Sequence, residues 1–157
     1  MSEASNTETA QLPTGEPNIT HDNRRYWEGT AAGRIDLPRC TACDFVIWYP
    51  RSICPDCQSM DLTWETMSGK GTVYSYTITR AGVGRKWREH LPLVVAYVQL
   101  DEGPIVLTNI VDTDPDRVEI GMAVEAVFHD TGHPIDQASD ADGSTGPNSA
   151  ILRFKAS

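Results

Sequence analysis

Residues 40–57 read CTACDFVIWYPRSICPDC and hold two Cys-x-x-C pairs, Cys40/Cys43 and Cys54/Cys57. A two-residue gap lets neighbouring backbone amides wrap one metal ion while both sulfurs face it, and two such knuckles supply four thiolates in a closed tetrahedral site. Between the pairs, Phe45 to Tyr49 is aromatic or aliphatic and Pro50-Arg51-Ser52 supplies a turn, so a short hairpin carries the second pair back beside the first. That is a zinc ribbon, and these four residues are all the cysteines the chain has. Two disulfides would require an oxidising compartment, yet the N-terminus MSEASNTETAQLPTGEP has no basic stretch followed by an apolar core. A Cys-x-x-C redox centre opens a helix in a βαβ pattern, whereas both pairs here lie between strand-like runs. Iron suits the same four-sulfur cage, and zinc is the favoured ion. With four protein ligands the metal has no open position, so its role is structural.

The net charge of −9 is unevenly spread. Residues 1–23 carry four acids and no Lys or Arg (−4), residues 24–90 ten bases and seven acids (+3), and residues 91–157 three bases and eleven acids (−8). Nonspecific nucleic-acid binding rests on phosphate neutralisation, so the acidic balance argues against it. No apolar run approaches the roughly 20 residues of a membrane span, and a cytoplasmic location is expected.

Residues 1–18 have the composition of a disordered tail. Asp22 or Asn23 can cap a helix running to about Ala32, with Gly33 as its left-handed stop. On that helix Tyr26 and Trp27 either dock on the ribbon or form a contact surface for another chain. Alternation predicts strands from Ile35 into the first knuckle and over Leu62–Thr66. Further strands are predicted at Thr72–Arg80, Leu93–Leu100, Ile105–Val111, Met122–Phe128 and Ala150–Lys155. Residues 81–90 read as a loop and 131–149 as a flexible polar excursion. The expected organisation is therefore a helix and ribbon at 19–67 followed at 68–157 by a small closed antiparallel barrel. The absence of βαβ alternation favours this barrel over a parallel sheet. A five-stranded barrel of this size is commonly an OB-fold, although periodicity alone leaves an SH3-like barrel or a sandwich open.

The order of these segments resembles a known family. YWEGTAAGRIDLPRC, the four-cysteine ribbon, DLTWETMSGKGTVYSYTITR and LPLVVAYVQLDEGPIVLTNIVDTDPDRVEIGMAVEAVF together are similar to the zinc-ribbon plus OB-fold proteins of acyl-CoA metabolism. The likeness covers residues 22–129 and the final strand; the stretch Thr131 to Ser149 is longer than the family pattern. It implies a mainly β protein with a short N-terminal helix, a rubredoxin-like zinc ribbon and a five-stranded OB-fold barrel. It also implies a non-catalytic accessory subunit of a thiolase-like, aldolase-like or hydratase-like enzyme in lipid metabolism, one that helps to bind the CoA part of an acyl-CoA thioester.

The residues accommodate that reading. Arg80, Arg85, Lys86, Trp87 and Arg88 lie within nine positions of an otherwise acidic chain and could hold CoA phosphates or contact a partner, Arg by bidentate bonds and Trp87 by stacking. The alternative for such a loop is a solvated surface. None of His21, His90, His129 and His133 stands in a nucleophile or metalloprotease motif, and Asp112, Asp114 and Asp116 read as turn chemistry. Two other functions stay open: a single-stranded nucleic-acid module, for which Tyr74 and Tyr76 would be the stacking platform, and a scaffold that never touches CoA.

Overall fold

The computed structural model describes residues 11–136 and 146–157. Two short sheets organise it. Ile35–Cys40 (β1) and Leu62–Met67 (β2) pair antiparallel and carry the cysteine knuckles at one end. Lys70–Thr79 (β3), Leu93–Leu100 (β4), Ile105–Ile110 (β5), Ala123–Pro134 (β6) and Asn148–Ala156 (β7) close into a barrel of order β3-β4-β5-β7-β6. The first three form an antiparallel meander, β6 and β7 a long antiparallel pair, and β5 meets β7 in parallel at Ile110 and Phe154. β6 returns to β3 through Lys70, Gly71 and Thr72. This connectivity is that of an OB-fold, and it decides between the barrels that periodicity left open.

The barrel is packed because alternate residues of every strand turn inward. Val73, Val94, Ala96, Val98, Leu100, Val106, Val124 and Phe154 are all at most 2% exposed. Gly71 marks the corner where β3 leaves β4 for β6, pairing with both Leu100 and Val124. A Cβ there would stand 2.4 Å from the Gln99 carbonyl oxygen, so only glycine permits so close an approach.

The helix Arg24–Ala31 (α1) packs on the β6–β7 side of the barrel and on β1. Asn23 does not cap it through its side chain, which turns back so that Oδ1 accepts from the Thr20 amide and Nδ2 donates to the Asn18 carbonyl. Gly33, at φ +73°, ends it as expected. Beneath α1 the buried Asp36 accepts from Arg34 Nε at 2.8 Å and Thr66 Oγ1 at 2.6 Å.

Several expectations are corrected here. Within the stretch read as a tail, residues 12–14 are laid against the barrel: Leu12 and Pro13 give their carbonyls to Arg153, and Thr14 donates to the Thr131 carbonyl. Residues 1–10 lie outside the described residues. The polar stretch after His129 is not an excursion throughout, because β6 continues to Pro134 and pairs with β7 from Asn148. The buried Thr131 and Ser149 hydroxyls, 2.7 Å apart, satisfy each other across that pair. The rest of the proposed excursion, 137–145, lies outside the described residues. Within the stretch read as a loop, Arg85–His90 forms a 3₁₀ helix (η1). Among the described residues no helix is long and apolar enough to cross a membrane.

Candidate metal centre and binding face

The two knuckles are built alike. In each, the first cysteine's carbonyl accepts from the amide four residues on, Asp44 to Cys40 at 2.9 Å and Gln58 to Cys54 at 3.0 Å. Its own amide donates five residues on, to Phe45 and Ser59. Asp44 and Gln58 both adopt left-handed backbone, φ +66° and +63°. These turns aim four sulfurs at one point: Cys40 and Cys57 are 3.5 Å apart, Cys43 and Cys54 3.6 Å, and all four lie within 4.8 Å of one another. A disulfide needs about 2.05 Å, whereas a tetrahedron with Zn–S near 2.3 Å sets sulfurs about 3.8 Å apart. The donor set fits zinc.

Electrostatics agree. Burial pushes the Cys40 thiol up, but the Cys43 and Ala42 amides and the Cys57 sulfur more than offset it, leaving it at about 7. The Phe45 amide draws Cys43 down, yet burial and the sulfurs of Cys57, Cys54 and Cys40 outweigh it and push it up to about 12. One thiolate is thus welcome and further negative charge is resisted, which is the situation a divalent cation relieves. Ion and thiolates together would pin the ribbon, whose own apolar cluster is only Cys40, Ile47 and Cys54, with Leu62 packed against it.

Tyr26 and Trp27 do not form an exposed contact surface. They are 3% and 8% exposed, and Tyr26 makes edge-on contacts with Trp27, Trp48 and Tyr49 at centroid distances of 5.2 to 5.6 Å. The rings that separate the two knuckles consume the helix aromatics, so a partner-interface role for Tyr26 and Trp27 loses its physical basis.

The basic cluster divides. Arg80 is tied to Asp116 at 2.5 Å and stands apart from the others. Arg85, Lys86 and Arg88 project from η1, exposed, with no carboxylate partner among the described residues. Trp87, half-buried between them, walls a groove of about 450 Å³ with Val83, Leu93, Val95, Leu107 and Asn109. This is a mainly apolar slot, and the Trp87 in its wall is flanked on η1 by these cations.

One residue escaped the sequence reading, and it engages His129, which was read only as standing outside any motif. Arg153, 2% exposed, is a buried guanidinium without a carboxylate partner among the described residues. Its Nη1 reaches His129 Nδ1 at 2.6 Å, and Nη1 and Nη2 donate to the carbonyls of Leu12 and Pro13. Burial pulls its pKa down to about 10. Because a guanidinium only donates, His129 Nδ1 must be bare and the neutral ring carries its hydrogen on Nε2. Burial holds the His129 pKa below its ordinary value, with the charge of Arg153 acting the same way and Asp112 opposing. A lone Arg inside the apolar run AILRFK was the available signal. The expected consequence follows from the sign: stability is flat above about pH 6.5 and falls below it, because the unfolded chain then binds the proton more readily. Limited proteolysis between pH 8 and pH 5 should show residues 11–14 becoming susceptible on acidification, and His129→Gln, still an acceptor for Arg153, should flatten that dependence.

Residues 27–63 match the family description "ChsH2, rubredoxin-like zinc ribbon domain" and residues 64–129 match "ChsH2, C-terminal OB-fold domain". A DUF35 domain-containing scaffold protein of Methanothermobacter thermautotrophicus is 41% identical over 91 residues, 57% of this chain and 68% of that protein. The chain belongs to the DUF35 family. A solved DUF35 structure titled "Ltp2-ChsH2(DUF35) aldolase" superposes with a TM-score of 0.68 at 30% identity, covering 90% of this chain and 98% of that one. A probable enoyl-CoA hydratase alpha subunit of Thermomonospora curvata is 38% identical over 110 residues, 69% of this chain. This DUF35 chain spans only 33% of that hydratase subunit.

Proposed function

We propose that this chain is a non-catalytic accessory subunit that docks on a thiolase-like, aldolase-like or hydratase-like enzyme and helps to hold the CoA part of an acyl-CoA substrate. The observation that carries the reading is the Trp87 groove, whose tryptophan is flanked on η1 by Arg85, Lys86 and Arg88, cations free of carboxylate partners among the described residues of a chain of net charge −9. The groove offers an apolar wall to a pantetheine arm or base, and the guanidinium groups offer bidentate donors to phosphate. Relatives named as a hydratase subunit, a scaffold protein and part of an aldolase support the accessory role. Chemistry on the acyl group belongs, in this reading, to the partner, since all four thiols are drawn to the metal centre and His129 Nδ1 is engaged by Arg153. Arg80 leaves the candidate set, because its charge is shared with Asp116.

Two measurements test it. Tagged protein recovered from its native host should bring down a stoichiometric enzyme subunit, identified by mass spectrometry. In the resulting complex, CoA titrated calorimetrically should bind tenfold or more weakly when Arg85→Ala is combined with Arg88→Ala, since charged hydrogen bonds are each worth about 1.5–3 kcal/mol. Unchanged affinity removes the CoA contact and leaves a scaffold.

One observation favours a second reading. Tyr74 and Tyr97 are both exposed on the outer face of neighbouring strands, as a strand-stacking platform requires, while Tyr76 packs on the core instead. Tight, salt-sensitive retention of labelled oligonucleotides on filters would move the protein to single-stranded nucleic-acid binding.

A further inference from the structure

Tyr74, Tyr97 and Leu107 make an apolar row across β3, β4 and β5 that stays exposed among the described residues. They are 57%, 48% and 57% exposed. Register makes the row continuous: Tyr97 pairs with Leu107 on one side and Ser75 on the other, and the irregularity between Val73 and Ser75 sets Tyr74 next to them. Ile105, also exposed, extends it along β5. Scattered surface apolar residues need no explanation, but a contiguous group on one sheet face marks an interaction surface. The opposite, β6–β7 side of the barrel is already occupied by α1, so among the described residues this is the uncovered side.

Charge identifies the kind of occupant. Leu107 and Trp87 line one groove, and Arg85, Lys86 and Arg88 flank Trp87 on η1, so the basic segment lies on the side of the row where that groove opens. A surface apolar at its centre and basic at one edge fits a protein that is apolar at its centre and acidic at the matching edge. A second copy would bring one chain of net charge −9 against another, which long-range repulsion disfavours.

We infer that the outer face of β3–β5 is the docking surface for the enzyme subunit, and that the subunit closes over the Trp87 groove so that the ligand site is completed at the junction. This rests on the accessory-subunit reading, and the test separates the two. With the co-purified enzyme subunit as the probe, Leu107→Asp should weaken association at least 30-fold, as loss of a central anchor does, without moving the thermal melt, since the side chain is exposed. Arg85→Glu with Arg88→Glu should slow association and reverse its salt dependence. Phe45→Asp on the ribbon, where Phe45 is also exposed, should leave affinity unchanged. Full-strength binding by Leu107→Asp, or loss with Phe45→Asp alone, overturns the docking surface and spares the accessory reading. Failure of the wild-type chain to recover any enzyme subunit overturns both. Sedimentation showing a wild-type dimer that Leu107→Asp dissociates would give the face to a second copy and also overturn the inference.

Discussion

Chelation at neutral pH is expected to unfold residues 40–62 while the barrel keeps its β structure. The knuckle region has little to fall back on. Around the sulfurs its apolar cluster comprises Cys40, Ile47 and Cys54, with Leu62 at the edge, the main core reaches it through Val46, Trp48 and Tyr49, and the knuckle backbone is held by two left-handed turns that lack glycine, at Asp44 and Gln58. Structural zinc in small domains contributes on the order of 10 kcal/mol of apparent folding free energy, more than so small a cluster can replace. β1 and β2 fare differently, because Ile35, Leu37 and Met67 belong to the same apolar cluster as the barrel core. Trp48 lies between the knuckles and touches Tyr26 and Tyr49 edge-on, so its fluorescence should report the loss. Hydrogen exchange should place the new exposure in residues 40–62, with one zinc per chain released by elemental analysis. Cys54→Ser should reproduce the effect without chelator. Retention of both amide protection and the Trp48 signal after complete metal removal would show that packing alone holds the ribbon.

Phe154→Ala is expected to destabilise the barrel by about 3–5 kcal/mol, the range for removing a buried aromatic ring. Phe154 has no exposure and stands where the barrel closes: it pairs in parallel with Ile110 of β5 and antiparallel with Ala126 of β6, and its carbonyl accepts from the Val111 amide at 2.8 Å. A cavity at this point weakens the parallel contact that turns the sheet into a barrel, and this contact has no long ladder to share the strain. Against a total stability of about 5–15 kcal/mol the variant should melt roughly 6–20 °C lower. Phe154→Leu keeps most of the volume and should lose under about 1.5 kcal/mol. Equal melting temperatures for the two variants would place the barrel's stability elsewhere. Calorimetry of both decides it.

What could be read in advance follows the range of the forces involved. Cysteine spacing, the alternation in TVYSYTIT and LVVAYVQL, and the turn chemistry of Asp101-Glu102-Gly103-Pro104 are local, and each maps onto its knuckle, strand or turn. Strand count and the lack of βαβ units sufficed to expect closure. Apolar alternation, however, does not say which neighbour will cover a face. β4 and β5 carry apolar residues on both sides, a pattern that usually means burial on both, yet Tyr97 and Leu107 face solvent. The aromatic pair on α1 shows the reverse: the sequence left docking on the ribbon and a surface for another chain both open, and the ribbon hairpin decides it by bringing Trp48 and Tyr49 to Tyr26 across some twenty residues.

The candidate site divides along the same line. Four thiols at this spacing determine a tetrahedral metal centre by themselves, because each knuckle is made by consecutive backbone amides. Whether a charged residue is free depends on contacts far away in the chain: Asp116 takes Arg80 out of the basic cluster from 36 positions on, and residues 12 and 13 hold Arg153 from more than 130 positions away. The sequence alone therefore determined the metal centre, the strands and the basic segment. Only the tertiary structure decided which cations remain unpaired among the described residues, which aromatics are spent in the core and which apolar side chains of the sheet stay exposed, since those outcomes depend on which distant surfaces meet.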